Sequence, residues 1–223
     1  MRFPLMFSIA ATMAMASSTL ADEPVKLFNG KDLTGWTIFI QHKDKSDPAT
    51  DSKGVFKVED GVIHVSGEEF ACLTTAKEFE NYRLSLEFKW GEKRYAPREK
   101  DKRDSGVLLH CTGPDKLWTK SIECQIQEGD CGDFHMVSGT ELTIDGKREK
   151  SFRKKTTDAE KPNGQWNKIE VVCDGGKITN IVNGVIVNEG TDASVTKGRI
   201  LLQSEGAEVF YRNVELSALK KAK

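Results

Sequence analysis

The stretch Ser121–Val137 reads SIECQIQEGDCGDFHMV and gathers several groups that can move protons. Apolar and polar residues alternate through its first half. This predicts a β-strand with Glu123, Gln125 and Gln127 on one face and Ile122, Cys124 and Ile126 on the other. Neighbours on such a face stand roughly 6.5–7 Å apart, near enough for a carboxylate and two amides to hold one small polar molecule. Glu128 follows out of phase and would point inward, which is costly for an unpaired carboxylate. A β-bulge near Ile126–Gln127 is expected to turn it back, giving an E-x-Q-x-x-E face of Glu123, Gln125 and Glu128. Two acids so placed can act as general acid and base, or as nucleophile and acid.

Histidines and aromatic residues widen the set. In SGVLLHC, Gly106, Leu108 and His110 share a face, and a connection of about ten residues leads to SIECQIQE, so the two strands are expected to pair. His110 then reaches Glu123 or Gln125 as a general base, the alternative being a core histidine hydrogen-bonded to its neighbours. His135 and Asp133, after the turn, join the same region or stay exposed, while His64 and His42 read as structural or surface residues. Trp118 lies between the two strands and is the expected platform for stacking on a sugar ring, whereas Trp90 alternates with core residues. Two charged connections span Gly91–Asp104 and Gly146–Gly164. They read as solvated loops, or as overhangs bringing Lys93, Tyr95 or Arg153 to an anionic or hydroxyl-rich ligand. The sequence holds no strand–turn–helix serine elbow, phosphate-cradling loop or dinucleotide fingerprint.

The elements that must position these groups are strands. Asp60-Gly61 and Asn183-Gly184 each separate two alternating runs, and Asp174-Gly175-Gly176 joins IEVVC to the following arm, all signals of tight hairpins. YRLSLEFKW places Leu84, Leu86, Phe88 and Trp90 on one side. No segment keeps helical periodicity beyond a turn or two. The expected fold is all-β, an antiparallel two-sheet sandwich. At the start, Arg2, the apolar run Leu5–Ala16 and Thr19-Leu20-Ala21 read as a signal peptide over residues 1–21, so the domain is expected over 22–218 with a basic tail at 219–223. An exported, periplasmic or secreted chain follows. No later stretch approaches the roughly 18 apolar residues of a membrane span. The formal net charge of −1 gives no reason to expect a nucleic-acid partner. Export permits disulfides, yet five cysteines leave at least one thiol free.

Two resemblances add to this reading. The E-x-Q-x-x-E pattern resembles the E-x-D-x-x-E strand of laminarinase-like jelly-roll endoglucanases, with Gln125 in place of the central aspartate. More extensively, KLFNGKDLTGW, DSGVLLHC, SIECQIQEGDCGDF and LLQSEGAEVFYRNVEL are similar, in order, to blocks of the 3-keto-disaccharide hydrolase domain family. That resemblance implies a concanavalin A-like jelly roll and cleavage of carbohydrate glycosides oxidised at C3. A C3 ketone acidifies the C2 proton, so a modest base removes it, the C1 substituent leaves, and water adds back. The implied parts are Glu123 or His110 as base, Glu128 assisting the departing oxygen, and Gln125, Gln127 and Trp118 on the substrate. A divalent cation polarising the ketone, with His110, Glu123 and Glu128 as candidate ligands, or a nearby lysine is expected to steady the enediolate. The chain departs from the commonest family form at Asp104, where Asn is usual, and at Glu205, where His is usual. A laminarinase-like retaining glycosidase and a non-catalytic carbohydrate-binding module are the alternative readings.

Overall fold

Seventeen strands build two antiparallel sheets and a small hairpin in the computed structural model, which describes residues 23–41, 51 and 53–219. The expected leader, His42 and the last four residues of the basic tail lie outside the described residues. The seven-stranded front sheet runs Phe152–Arg153, Phe134–Val137, Lys120–Gln127, Asp104–Thr112, Arg199–Ser204, Ala71–Thr75 and Trp36–Ile40. The rear sheet runs Val185–Gly190, Lys177–Val182, Asn167–Asp174, Tyr82–Arg94, Ala207–Ala218, Val62–Val65 and Phe56–Glu59, with Val25–Lys26 added on Ala207–Ala218. No helix occurs among the described residues.

Alternation builds the core. Leu84, Leu86, Phe88 and Trp90 point from the rear sheet onto Val107, Leu109, Ile122, Cys124, Ile126 and Leu202 of the front sheet. Burying each such side chain contributes roughly 1.5–3 kcal/mol, which is what commits both strands to this face. The hairpins form where expected, with Asp60 and Asn183 both at φ 49°, the left-handed region that Asn and Asp tolerate better than other side-chain-bearing residues. All five cysteines are buried and free.

A second apolar cluster positions the site. Cys72, Leu108, Cys111, Leu117 and Leu201, with Phe39 and Phe70 beside them, pack together apart from the main core. Leu108 and Leu201 are register partners and alternate with the core residues Leu109 and Leu202. This cluster therefore covers part of the front sheet's outer face and shelters the polar residues in neighbouring rows.

The expected bulge is displaced. Pairing of Asp104–Thr112 with Lys120–Gln127 runs unbroken from Asp104↔Gln127 to Leu109↔Ile122, then slips between Leu109 and Thr112. The extra residue falls at His110–Cys111, and His110 takes φ 54°. Ile126–Gln127 carries no irregularity in this pairing.

Candidate active site

Glu123, Gln125 and Gln127 do share a face, and that face is the floor of a cavity of about 340 Å³ on the outer side of the front sheet. Asp104 opens the next strand and pairs in register with Gln127, while Gly106 pairs with Gln125. Glu205 stands one residue past Arg199–Ser204, and His135, register partner of Glu123, comes from the strand on the other side. Arg98 and Trp118 reach in from two connections. Tyr95 N–H donates to the Gly206 carbonyl at 2.8 Å, which pins the first connection beside Glu205.

The polar groups form a linked row. Gln127 Nε2 donates to Asp104 Oδ2 at 2.8 Å, and Arg98 Nη2 reaches the same oxygen at 2.5 Å. Arg98 Nη1 approaches Glu205 Oε2 at 3.5 Å, and Gln203 Nε2 donates to Glu205 Oε1 at 3.3 Å. Gly106 leaves room for this row. A Cβ there would stand 1.9 Å from Glu123 Oε1 and 2.2 Å from Gln203 Oε1.

Three acids thus share one cation, Arg98, among the described residues lining the cavity. Burial, reinforced by the Glu205 and Asp104 carboxylates, lifts the Glu123 carboxyl well above its ordinary range. Burial and Asp104 push Glu205 up to about 7, with Arg98 and Trp118 opposing. Burial also raises Asp104 against the pull of Arg98 and Gln127. Burial lowers His135, against the opposing pull of Asp133, Asp104 and Asp130. Burial thus favours the neutral form of both groups, a carboxyl on Glu123 and an imidazole on the adjacent strand, the two halves of general acid–base catalysis.

Four of the expected residues line this cavity: Glu123, Gln125, Gln127 and Trp118, the last 47 % exposed at its edge. Five do not. His110 is carried inward by the bulge, is fully buried, hydrogen-bonds the Val195 carbonyl at 3.2 Å and packs edge-on against Tyr82. Burial lowers it to about 4, the core-histidine alternative. Glu128 lies past the strand end, bound by Arg103 at 3.0 Å and Asn163 at 2.6 Å, so the E-x-Q-x-x-E face is not formed. Lys93 belongs to the rear-sheet strand Tyr82–Arg94, which continues past Gly91 where a loop was expected, and lies 3.7 Å from Glu208; Tyr95 contributes its backbone, and Arg153 pairs with Asp145 and Glu149. The candidate cation ligands His110, Glu123 and Glu128 are accordingly apart. No group of three or more His, Cys, Asp or Glu is arranged to hold a metal ion among the described residues.

His135 takes the place expected of His110, and Glu205 brings a second acid where Glu128 was expected. Asp104 and Glu205, the two departures from the commonest family form, meet at Arg98. Arg98 and Gln203 escaped sequence reading. The one available signal for Gln203 is alternation, since Leu201, Gln203 and Glu205 lie two apart across the end of the strand RILLQS.

The model of the 3-keto-alpha-glucoside-1,2-lyase-like domain family matches residues 23–217. No curated protein matches this sequence. Among solved structures, a candidate glycosyl hydrolase from Parabacteroides distasonis ATCC 8503 is 22 % identical, with TM-score 0.62 over 88 % of this chain and 94 % of that one. The carbohydrate-binding module CBM66 from Bacillus subtilis is 11 % identical, with TM-score 0.56 over 83 % and 96 %. The beta-glucanase of Bacillus licheniformis is 12 % identical, with TM-score 0.53 over 86 % and 96 %. These likenesses establish the jelly-roll sandwich, and the match along nearly the whole described chain places it in the 3-keto-alpha-glucoside-1,2-lyase-like domain family.

Proposed function

We propose that this chain cleaves 3-keto-glycosides by acid–base catalysis in the front-sheet cavity. The carrying observation is the pairing, on adjacent strands, of Glu123, whose carboxyl burial lifts well above its ordinary range, with His135, whose imidazole burial lowers. His135 removes the C2 proton, whose acidity comes from the C3 ketone. The C2–H electrons form the enolate, and Arg98 steadies its oxygen. The enolate then expels the C1 substituent as the C1–O bond breaks, and Glu123 protonates the departing oxygen. Water adds to C1 while C2 regains a proton, giving net hydrolysis. Release before hydration would make the reaction a lyase. Gln125 and Gln127 present amides to sugar hydroxyls, and Trp118 offers a ring at the cavity edge. The N-terminal sequence supports the proposal that the reaction takes place after export.

Turnover of a 3-keto-glucoside beside its unoxidised parent tests the reading. The expected result is release of the aglycone from the keto-sugar alone, lost in Glu123→Gln. Equal turnover of the unoxidised glucoside would favour an ordinary glycosidase. Sugar binding with no turnover of either would leave a binding module.

A further inference from the structure

One buried side chain beside Glu123 has no part in the steps above. Gln203 is fully buried, and its Nε2 faces two acceptors, Glu205 Oε1 at 3.3 Å and the Leu117 carbonyl at 3.5 Å. The amide must point its N–H groups that way, since a carbonyl oxygen there would meet a carboxylate and a carbonyl. Its Oε1 is therefore left facing Gly106, buried and without a hydrogen-bond donor. Glu123 Oε1 crowds the same point above Gly106. An ionised Glu123 would set one acceptor against another, whereas a protonated Glu123 supplies the missing donor.

We infer that Gln203 is a positioning residue, its amide standing between Glu123 and Glu205 and keeping on Glu123 the one proton that the two carboxyls share. The reverse arrangement, with Glu205 protonated and the amide turned over, is opposed by Arg98 Nη1 at Glu205 Oε2 and by the Leu117 carbonyl. The groups facing Glu123 act in the same direction. Asp104 and Glu205 add negative charge from the strands on one side. His135, from the other side, is held toward its neutral form by burial. Cys111 and Tyr211 are kept neutral by burial, and Arg98 is engaged by Asp104 and Glu205. Gly106 is part of the device, because any side chain there would occupy the space where the two oxygens meet. The inference rests on the proposed function for Glu123's role as acid. The proton's location is a property of the resting protein and needs no substrate.

Carboxyl 13C NMR titration of Gln203→Met, with Glu123→Gln used for assignment, tests it. Methionine keeps the length and removes the amide. Loss of the acceptor should lower the ionisation of Glu123 by about one pH unit or more. An upward shift, meaning that the amide had been serving the carboxylate, or no shift, would overturn the inference. Neutron diffraction from the unaltered protein near pH 7 provides a check that does not depend on the variant folding. A deuteron on Glu123 directed at Gln203 is expected, and one on Glu205 with the amide reversed contradicts it. On a keto-substrate, the alkaline limb of the pH–rate profile should move down in Gln203→Met. A merely structural glutamine would lower kcat and leave that limb in place.

Discussion

The two sheets carry acids on their outer sides under opposite conditions. On the rear sheet, Glu170 sits 2.8 Å from Arg83 and 3.1 Å from Lys168, and Glu208 sits 3.0 Å from His64 and 3.7 Å from Lys93. Burial works against their charge, yet hydrogen bonds from these partners and from the backbone hold both carboxyls below their ordinary range. On the front sheet, Asp104, Glu123 and Glu205 share Arg98 alone, and burial lifts all three. The front three lie deeper, at 4–5 % exposure against 8 % for Glu170 and Glu208, and they have fewer cations to draw on. An acid on a pleated face is structural when partnered and becomes a proton donor when its partners are withheld and a loop closes over it.

The first way to break this comparison is to make the same substitution on both sheets. Glu123→Gln should lower kcat on a 3-keto-glucoside by about 10²–10⁴-fold, the usual worth of a general acid. Glu170→Gln should leave kcat within about twofold, since it loses only a peripheral ion pair. Comparable losses in steady-state assays would erase the distinction.

The two histidines sharpen it next. His135→Ala should cost about 10²-fold in kcat with stability nearly unchanged. His110→Ala should leave a cavity in the core and lower unfolding free energy by on the order of 3 kcal/mol, read by chemical denaturation. Gly106→Ala should cut kcat/KM by about tenfold or more. Gly106 is not among the positive-φ glycines, so the loss would come from its Cβ meeting Glu123 and Gln203 rather than from backbone strain. Trp118→Ala should raise KM by about fivefold to tenfold, with a smaller change in kcat, as expected for a stacking edge.

The pH dependence of stability differs in sign between the sheets. Glu205 is raised to about 7 in the folded chain, so its contribution is full below the ordinary glutamate range and is lost as pH climbs through 7. Glu205→Gln should therefore stabilise the protein relative to the parent above pH 7, by on the order of 1–3 kcal/mol. Glu170 is lowered, so its contribution is present at neutral pH and lost in acid, and Glu170→Gln should destabilise at pH 7. Denaturation midpoints of the two variants across pH read both signs.

How far the sequence reveals this site depends on the range of the forces involved. Period-two alternation is local, which makes the sandwich, the hairpins and the shared face of Glu123, Gln125 and Gln127 legible. The bulge is not local. A Cβ on Gly198 would lie 2.5 Å from the His110 carbonyl carbon and 2.6 Å from Cys111 O, so the kink is shaped by the approach of a segment more than eighty residues away. Glu128 fails for a similar reason. Its N–H donates to Arg103 O at 2.9 Å, and the Arg103 guanidinium donates to its carboxylate, so this half-exposed acid finds a partner beyond the strand end without a bulge. Asp104 and Glu205 stand out in sequence as departures from a family pattern, but Arg98, which joins them, is one charge among many in a loop.

The central claim is that this cavity moves the C2 proton of a 3-keto-sugar, with Glu123 serving the leaving oxygen. Turnover of a 3-keto-glucoside in heavy water, followed by mass spectrometry and NMR of the sugar product, tests that claim most directly. One deuterium at C2 is predicted, with turnover and labelling both slowed about 10²-fold in His135→Ala. Product formed at full rate with hydrogen retained at C2 would contradict it.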